Sequence, residues 1–196
     1  MYTLSIVEFF GVFLLFLTLF FVCMLQVSLE EMYSGCVKKL KITKKVLDPR
    51  DYTRTIDDTS VLEVEVKAGW KAGTKITFER MGDEKPGEVP ADMVFVLVQK
   101  PHNLFERQGN HLVFKTSVRL REALVGGEVR LKTLDDRPLK VPFKGPIKSG
   151  HQQIVAGEGM IDTKTGKKGD LIVSFDVIWP EEISEEAKEK LSAIAF

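Results

Sequence analysis

The sequence holds two cysteines, Cys23 and Cys36, in 196 residues. That is too few for a disulfide framework, and the pair lacks the Cys-x-x-Cys spacing of a zinc module. Histidine is nearly as scarce. His102, His111 and His151 stand far apart with no carboxylate or cysteine at ligand spacing, which argues against a metal centre or a catalytic triad. Net charge is missing as well: the 28 Lys+Arg balance 28 Asp+Glu, so no global field draws the chain to nucleic acid or anionic lipid. Gly157, Gly159 and Gly166-Lys167 do not make a phosphate loop, because the glycine spacing is wrong and Lys168 stands where Ser or Thr would hold magnesium. The expectation is a protein without metal, cofactor, nucleic acid or catalytic chemistry.

Against these absences stands a repetition. VSLEEMYSGCVKKLKI from Val27 returns 91 positions later as VRLREALVGGEVRLKT from Val118. Leu29 matches Leu120, Glu31 matches Glu122, Gly35 matches Gly126, Leu40 matches Leu131 and Lys41 matches Lys132. LEVEVKAGWKAG from Leu62 keeps step with LKVPFKGPIKSG from Leu139, and ADMVFV from Ala91 with GDLIVS from Gly169. Three blocks in one order identify a tandem duplication of a small unit. With 44% apolar residues, a chain of this length can bury two modest cores.

Apolar alternation at Cys23, Leu25 and Val27 predicts a strand, SLEEMYSG a helical turn closed by Gly35, and Cys36 to Val46 a strand with one solvated lysine face. Tyr52 to Ser60 reads as a polar connector, Val61 to Val66 as a strand, and the unbroken run Met93 to Val98 as a strand buried on both faces. Trp70, in a tight loop, reads as a core plug. In the second unit Leu112 to Leu120, Glu128 to Thr133, Leu139 to Phe143 and Leu171 to Ile178 are predicted strands, with the turn at Asp135-Asp136. Ser184 then caps an amphipathic helix whose Ala187, Leu191 and Ile194 share one face. The expected fold is mainly β: two tandem, similar, small β-sandwich-like domains at 23–102 and 103–180, with short helical turns. A C-terminal amphipathic helix at 181–196 and an N-terminal apolar helix at 1–22 complete it.

From Phe9 to Leu25 the chain carries no charge. Two readings stand. One is a membrane anchor through residues 6–25, with the lysines at 38 to 45 placing the body on the cytosolic side; the other is a non-native or alternative start to a cytoplasmic domain. Cys23 and Leu25 are claimed by both the apolar segment and the first strand, and a helix in lipid cannot also line a water-facing groove. The sequence favours pairing of Cys23 to Ser28 in the first β-domain.

VSLEEMYSG, GWKAGTKITFERMGDE, PADMVFVL, KPHNLFERQGNHL, VRLREALVGG, TLDDR, GEGM and KKGDLIVSFDVIWP, in this order, resemble signatures of the C-terminal substrate-binding and dimerisation region of class B (type II) DnaJ-type heat-shock co-chaperones. The resemblance covers residues 23–196. It implies a homodimer joined by the last helix through Ala187, Leu191 and Ile194, and a first β-domain that holds extended hydrophobic peptide segments. The His-Pro-Asp motif of a J-domain does not occur in this sequence: His102 follows Pro101 and precedes Asn103. Asp136 stands where the family usually has Gly, and Ala156 and Ile161 where it often has Pro.

By the same resemblance the client positions are Cys23, Leu25, Lys38, Leu40, Ile42 and Phe95. An exposed strand edge offers N–H and C=O groups to any extended peptide, while alternate side chains supply pockets. Lys38 is expected to pair with an acid, the family's usual one being the acidic C-terminal tail of a DnaK-type chaperone. The reading is a non-enzymatic co-chaperone fragment that binds unfolded polypeptides in cooperation with that chaperone. The alternative is a membrane-tethered scaffold or adaptor with a vestigial groove.

Overall fold

The computed structural model describes residues 20–194. They divide into two units: the first takes in the chain up to His102 together with Ile161–Gly166, the second Asn103–Met160 and the chain from Lys167 onward.

The first unit opens with β1 (Phe20–Val27), in which Leu25 and Val27 are buried while Val22, Met24 and Gln26 face out, the alternation of a half-buried strand. Ser28 caps the helical turn α1 (Leu29–Ser34), and Gly35 swings the chain into β2 (Cys36–Asp48). Gly35 has φ +79°, and a Cβ there would press on the Val66 carbonyl oxygen at 3.2 Å, so the turn requires glycine. β2 folds back along β3 (Asp51–Val66) as an antiparallel ribbon. β4 (Lys75–Phe78) and β5 (Asp92–Gln99) complete a second sheet of order β1-β5-β4, with β1 parallel and β4 antiparallel to β5. β5 is the central strand and buries Met93, Val94 and Phe95 in succession, as its unbroken apolar run requires.

The second unit contains β6 (Phe105–Gln108), β7 (His111–Arg119), α2 (Leu120–Val125), β8 (Gly126–Lys132), β9 (Pro138–Lys144), β10 (His151–Val155), β11 (Leu171–Ile178) and α3 (Glu185–Ser192). The sheet order is β10-β11-β7-β6, and β8 and β9 form the ribbon. β11 runs parallel to β7 as β5 does to β1, so the duplication read in the sequence is a duplication of topology. Phe143 of the ribbon meets Phe175 of the sheet, ring centroids 4.9 Å apart.

The mainly β fold with short helical turns is as expected, but several boundaries move. The first strand begins at Phe20 rather than Cys23, because Phe20 to Val22 continue in register with Asp92 to Val94; residues 20–22 are therefore strand, not apolar helix. The expected N-terminal helix and the membrane reading through residues 6–25 otherwise fall on residues 1–19, outside the described residues. Within residues 20–25 the chain is β1, and no helix among the described residues is long and apolar enough to cross a membrane. Tyr52 to Ser60, expected as a connector, is part of β3. Its polar residues are matched across the ribbon, Lys44 opposite Asp58, Lys45 opposite Asp57 and Thr43 opposite Thr59, and such pairs stabilise a solvated ribbon. Trp70 is half-buried rather than a core plug. Asp136 adopts φ +59°, the conformation for which glycine is favoured, so the turn keeps its geometry without it.

Candidate functional site

Along β2 the residues alternate: Lys38, Leu40 and Ile42 turn inward, while Val37, Lys39, Lys41 and Thr43 are exposed. In an antiparallel pair, residues also alternate between those that exchange N–H and C=O with the partner strand and those whose backbone groups point away. Lys45 fixes the phase. Its N–H donates to Asp83 Oδ1 at 2.8 Å and its C=O accepts the Glu84 N–H at 2.8 Å, so its backbone faces away from β3. The register with β3 is unbroken from Cys36 to Leu47, which gives Val37, Lys39, Lys41 and Thr43 the same outward phase. No backbone partner for these four residues' outward groups occurs among the described residues.

Cys23, Leu25 and Phe95 lie on one face of the β1-β5-β4 sheet, Cys23 directly beside Phe95 in register. Lys38, Leu40 and Ile42 lie on the inner face of the ribbon. Three of the six are sealed in: Phe95 is 2%, Leu25 3% and Leu40 7% exposed. Phe95 is held edge-on by Phe78, centroids 5.7 Å apart. They form core, whereas Cys23, Lys38 and Ile42 are half-buried.

Lys38 is not free. Its ammonium bonds the Glu31 carboxylate, whose other oxygen accepts the Ser28 N–H at 2.9 Å, while Ser28 Oγ accepts the Glu31 N–H at 3.3 Å. This is a capping box with a lysine added. Partial burial opposes ionisation of Glu31, but the bonds from Lys38 and Ser28 outweigh it and hold the carboxyl below its usual range. Glu30 is lowered in the same way: burial opposes, and hydrogen bonds from Ser28 and its own backbone together with His102, 2.9 Å away, prevail. Burial raises the Cys23 thiol, and burial with the nearby Glu31 charge raises Cys36, so both stay protonated at neutral pH and are poor nucleophiles. Among the described residues no cluster of His, Cys, Asp and Glu could hold a metal.

In the second unit α3 starts at its Ser184 cap, with the Ala187 N–H donating to Ser184 Oγ. Leu191 and Ile194, 39% and 54% exposed, line an apolar groove of about 750 Å³ with Leu120, Leu124, Val125 and Ile178. Ala187 is half-buried and does not line it. Sequence reasoning missed Glu31 and the pair Asp83–Glu84. Glu31 was signalled by its recurrence as Glu122, whereas nothing local marks Asp83 and Glu84.

Residues 21–180 match the family of the DnaJ C terminal domain. The chain belongs to that family. It is 40% identical over 168 residues to DnaJ homolog subfamily B member 13 of Homo sapiens, covering 85% of this chain and 53% of that protein. With DnaJ homolog subfamily B member 5 of Homo sapiens the identity is 41%, covering 85% and 48%. With Protein psi1 of Schizosaccharomyces pombe it is 38% over 173 residues, covering 88% and 45%. The chain spans about half the length of these curated relatives. It is a DnaJ C-terminal domain, and the two human relatives above are of DnaJ subfamily B.

Proposed function

We propose that this DnaJ C-terminal domain binds extended segments of unfolded polypeptides by adding them as a strand to the outer edge of β2, in cooperation with a DnaK-type chaperone. The observation that carries the reading is the row of outward backbone groups at Val37, Lys39, Lys41 and Thr43. Main-chain pairing gives affinity that ignores client sequence, and Cys23, Ile42 and the stem of Lys38 add apolar contact. The acidic tail of the DnaK-type chaperone competes for the same seat, since Lys38 exchanges the Glu31 carboxylate for another at little cost. The groove beside α3 suits a second copy of the chain: Leu191 and Ile194 expose apolar area of the kind a twofold interface buries.

Residues 20–196 should slow aggregation of a denatured client without ATP and leave the ATPase of a DnaK-type chaperone unstimulated. Lys41→Pro removes an outward N–H that β3 does not use, so the ribbon should survive while client protection falls at least several-fold. Full protection by a folded Lys41→Pro variant would refute the edge. Sedimentation tests the dimer: Leu191→Asp with Ile194→Asp should give monomers, and an unchanged oligomeric state refutes that assignment.

A further inference from the structure

The outer edge of β2 does not stay open along its whole length. At Lys45 the acceptor Asp83 Oδ1 takes the strand N–H, and the Glu84 N–H fills the strand C=O, both at 2.8 Å. Two residues on, Glu84 Oε2 accepts the Leu47 N–H at 3.1 Å. Acceptor, donor and acceptor thus stand where an added strand would place its own, so Asp83 and Glu84 imitate a partner strand with one backbone and two side-chain groups. The imitation is held in place. The Gly82 N–H donates to the Ala91 C=O at 2.8 Å and the Arg80 N–H to Asp92 Oδ1 at 3.0 Å, which ties the neck of the loop to the start of β5. A Cβ at Gly82 would lie 2.8 Å from the Ala91 oxygen, so the neck closes only around glycine. At the other end β2 emerges from the turn at Gly35, whose N–H is spent on the Glu31 C=O.

We propose that Asp83 and Glu84 form an end stop that limits the β2 seat to the seven residues Val37–Thr43, and so selects extended client segments of about that length. The proposal rests on β2 being the client edge. A segment that fits makes its full set of main-chain bonds without disturbing the protein. A longer one must run past Thr43 and either leave its excess unpaired or break three existing bonds, two of them to carboxylates and therefore stronger than neutral ones. Affinity then rises with client length and levels off where the stop begins.

The test is a series of unstructured peptides of one repeating composition, from four to twelve residues, with dissociation constants measured by fluorescence anisotropy. In the parent protein, affinity should stop rising at about seven residues. In Asp83→Ala/Glu84→Ala both carboxylate acceptors are gone and only the backbone bond from residue 84 to the Lys45 C=O is left for a peptide to displace, so the limit should move toward about eleven, and the longest peptides should bind several-fold more tightly than to the parent. Asp83→Asn/Glu84→Gln keeps oxygen acceptors at both positions and should restore the parent limit. Amide exchange reports on the same bonds without ligand: Lys45 and Leu47 should be protected in the parent and exchange faster in the double alanine variant, the rest of β2 being unchanged. Peptide binding with the same length limit in a folded double alanine variant would overturn the stop while leaving the seat intact. Failure of peptides of every length to bind the parent would overturn the seat, and the stop with it.

Discussion

The two units carry the same strand–helix–strand module and use it differently. In the first, Leu29 and Met32 of α1 are fully buried, Ser28 caps the helix, and Glu31 is tied to Lys38. In the second, Leu120 is half-open to the apolar groove, the cap position holds Arg119, and the position of Lys38 is taken by the buried Val129. Arg119 has no acceptor to offer, so only the reverse half of the box survives, the Arg119 N–H donating to Glu122 Oε2 at 3.1 Å. Leu29 and Leu120, Glu31 and Glu122 and the backbone course are shared, and the remaining helix and flanking residues decide what each module leaves open. The first seals its apolar helix face and leaves a charged, hydrogen-bonding edge; the second leaves an apolar groove. A duplicated fold thus presents two kinds of surface, one of open backbone groups and one of apolar side-chain area.

Exchanging residues between the modules tests this contrast. The largest effect should come from Met32→Ala, which places in α1 the alanine that α2 carries as Ala123. The cavity left under a fully buried methionine should destabilise the first unit by about 2–5 kcal/mol, read by amide exchange in β1 and α1, with β7 and α2 unaffected. Equal loss in both units would mean that they unfold as one and that the contrast has no energetic counterpart.

The caps come next. Ser28→Ala should cost about 1 kcal/mol in denaturant unfolding, whereas Arg119→Ser, which supplies the missing acceptor, should stabilise the second unit by about 0.5 kcal/mol. Destabilisation by Arg119→Ser would show that the arginine serves the groove rather than the helix.

Lys38→Val gives the first module the residue of the second and should have the smallest effect at neutral pH, under about 1 kcal/mol, because the pair is partly solvated. Its signature is pH dependence. Glu31 titrates below its ordinary 4.5 when folded, so its stabilisation is complete above that value and is lost as pH falls through the lower folded one. Lys38→Val should raise the Glu31 carboxyl toward its ordinary range in an NMR titration and flatten the loss of stability in acid. An unmoved Glu31 would mean that Ser28 and the Lys100 charge hold it without Lys38.

Much of this was legible in one dimension. The repeat of Gly35 as Gly126 and Glu31 as Glu122 announced two copies of one topology, because the tight turn needs glycine and the box needs glutamate wherever the module occurs. The unbroken run from Met93 marked a central strand, since only burial on both faces tolerates it. The run of charged and threonine residues in β3 was misread, because its alternation is satisfied across the ribbon by Lys44 and Lys45 rather than by a core.

The sequence by itself determined the mainly β class, the duplication and the alternation of β2, because side-chain period and turn chemistry are local properties. Which backbone groups of β2 face outward was decided only by tertiary structure, since the phase of an antiparallel ladder depends on its partner, and a one-residue slip would reverse it. The same holds for the sealing of Leu25, Leu40 and Phe95 into the core, and for the arrival of Asp83 and Glu84 at Lys45 and Leu47 across nearly forty positions. Long-range contacts of that kind leave no periodicity in the chain, because what places them is the neck at Gly82 and Ala91 rather than any pattern around the carboxylates themselves.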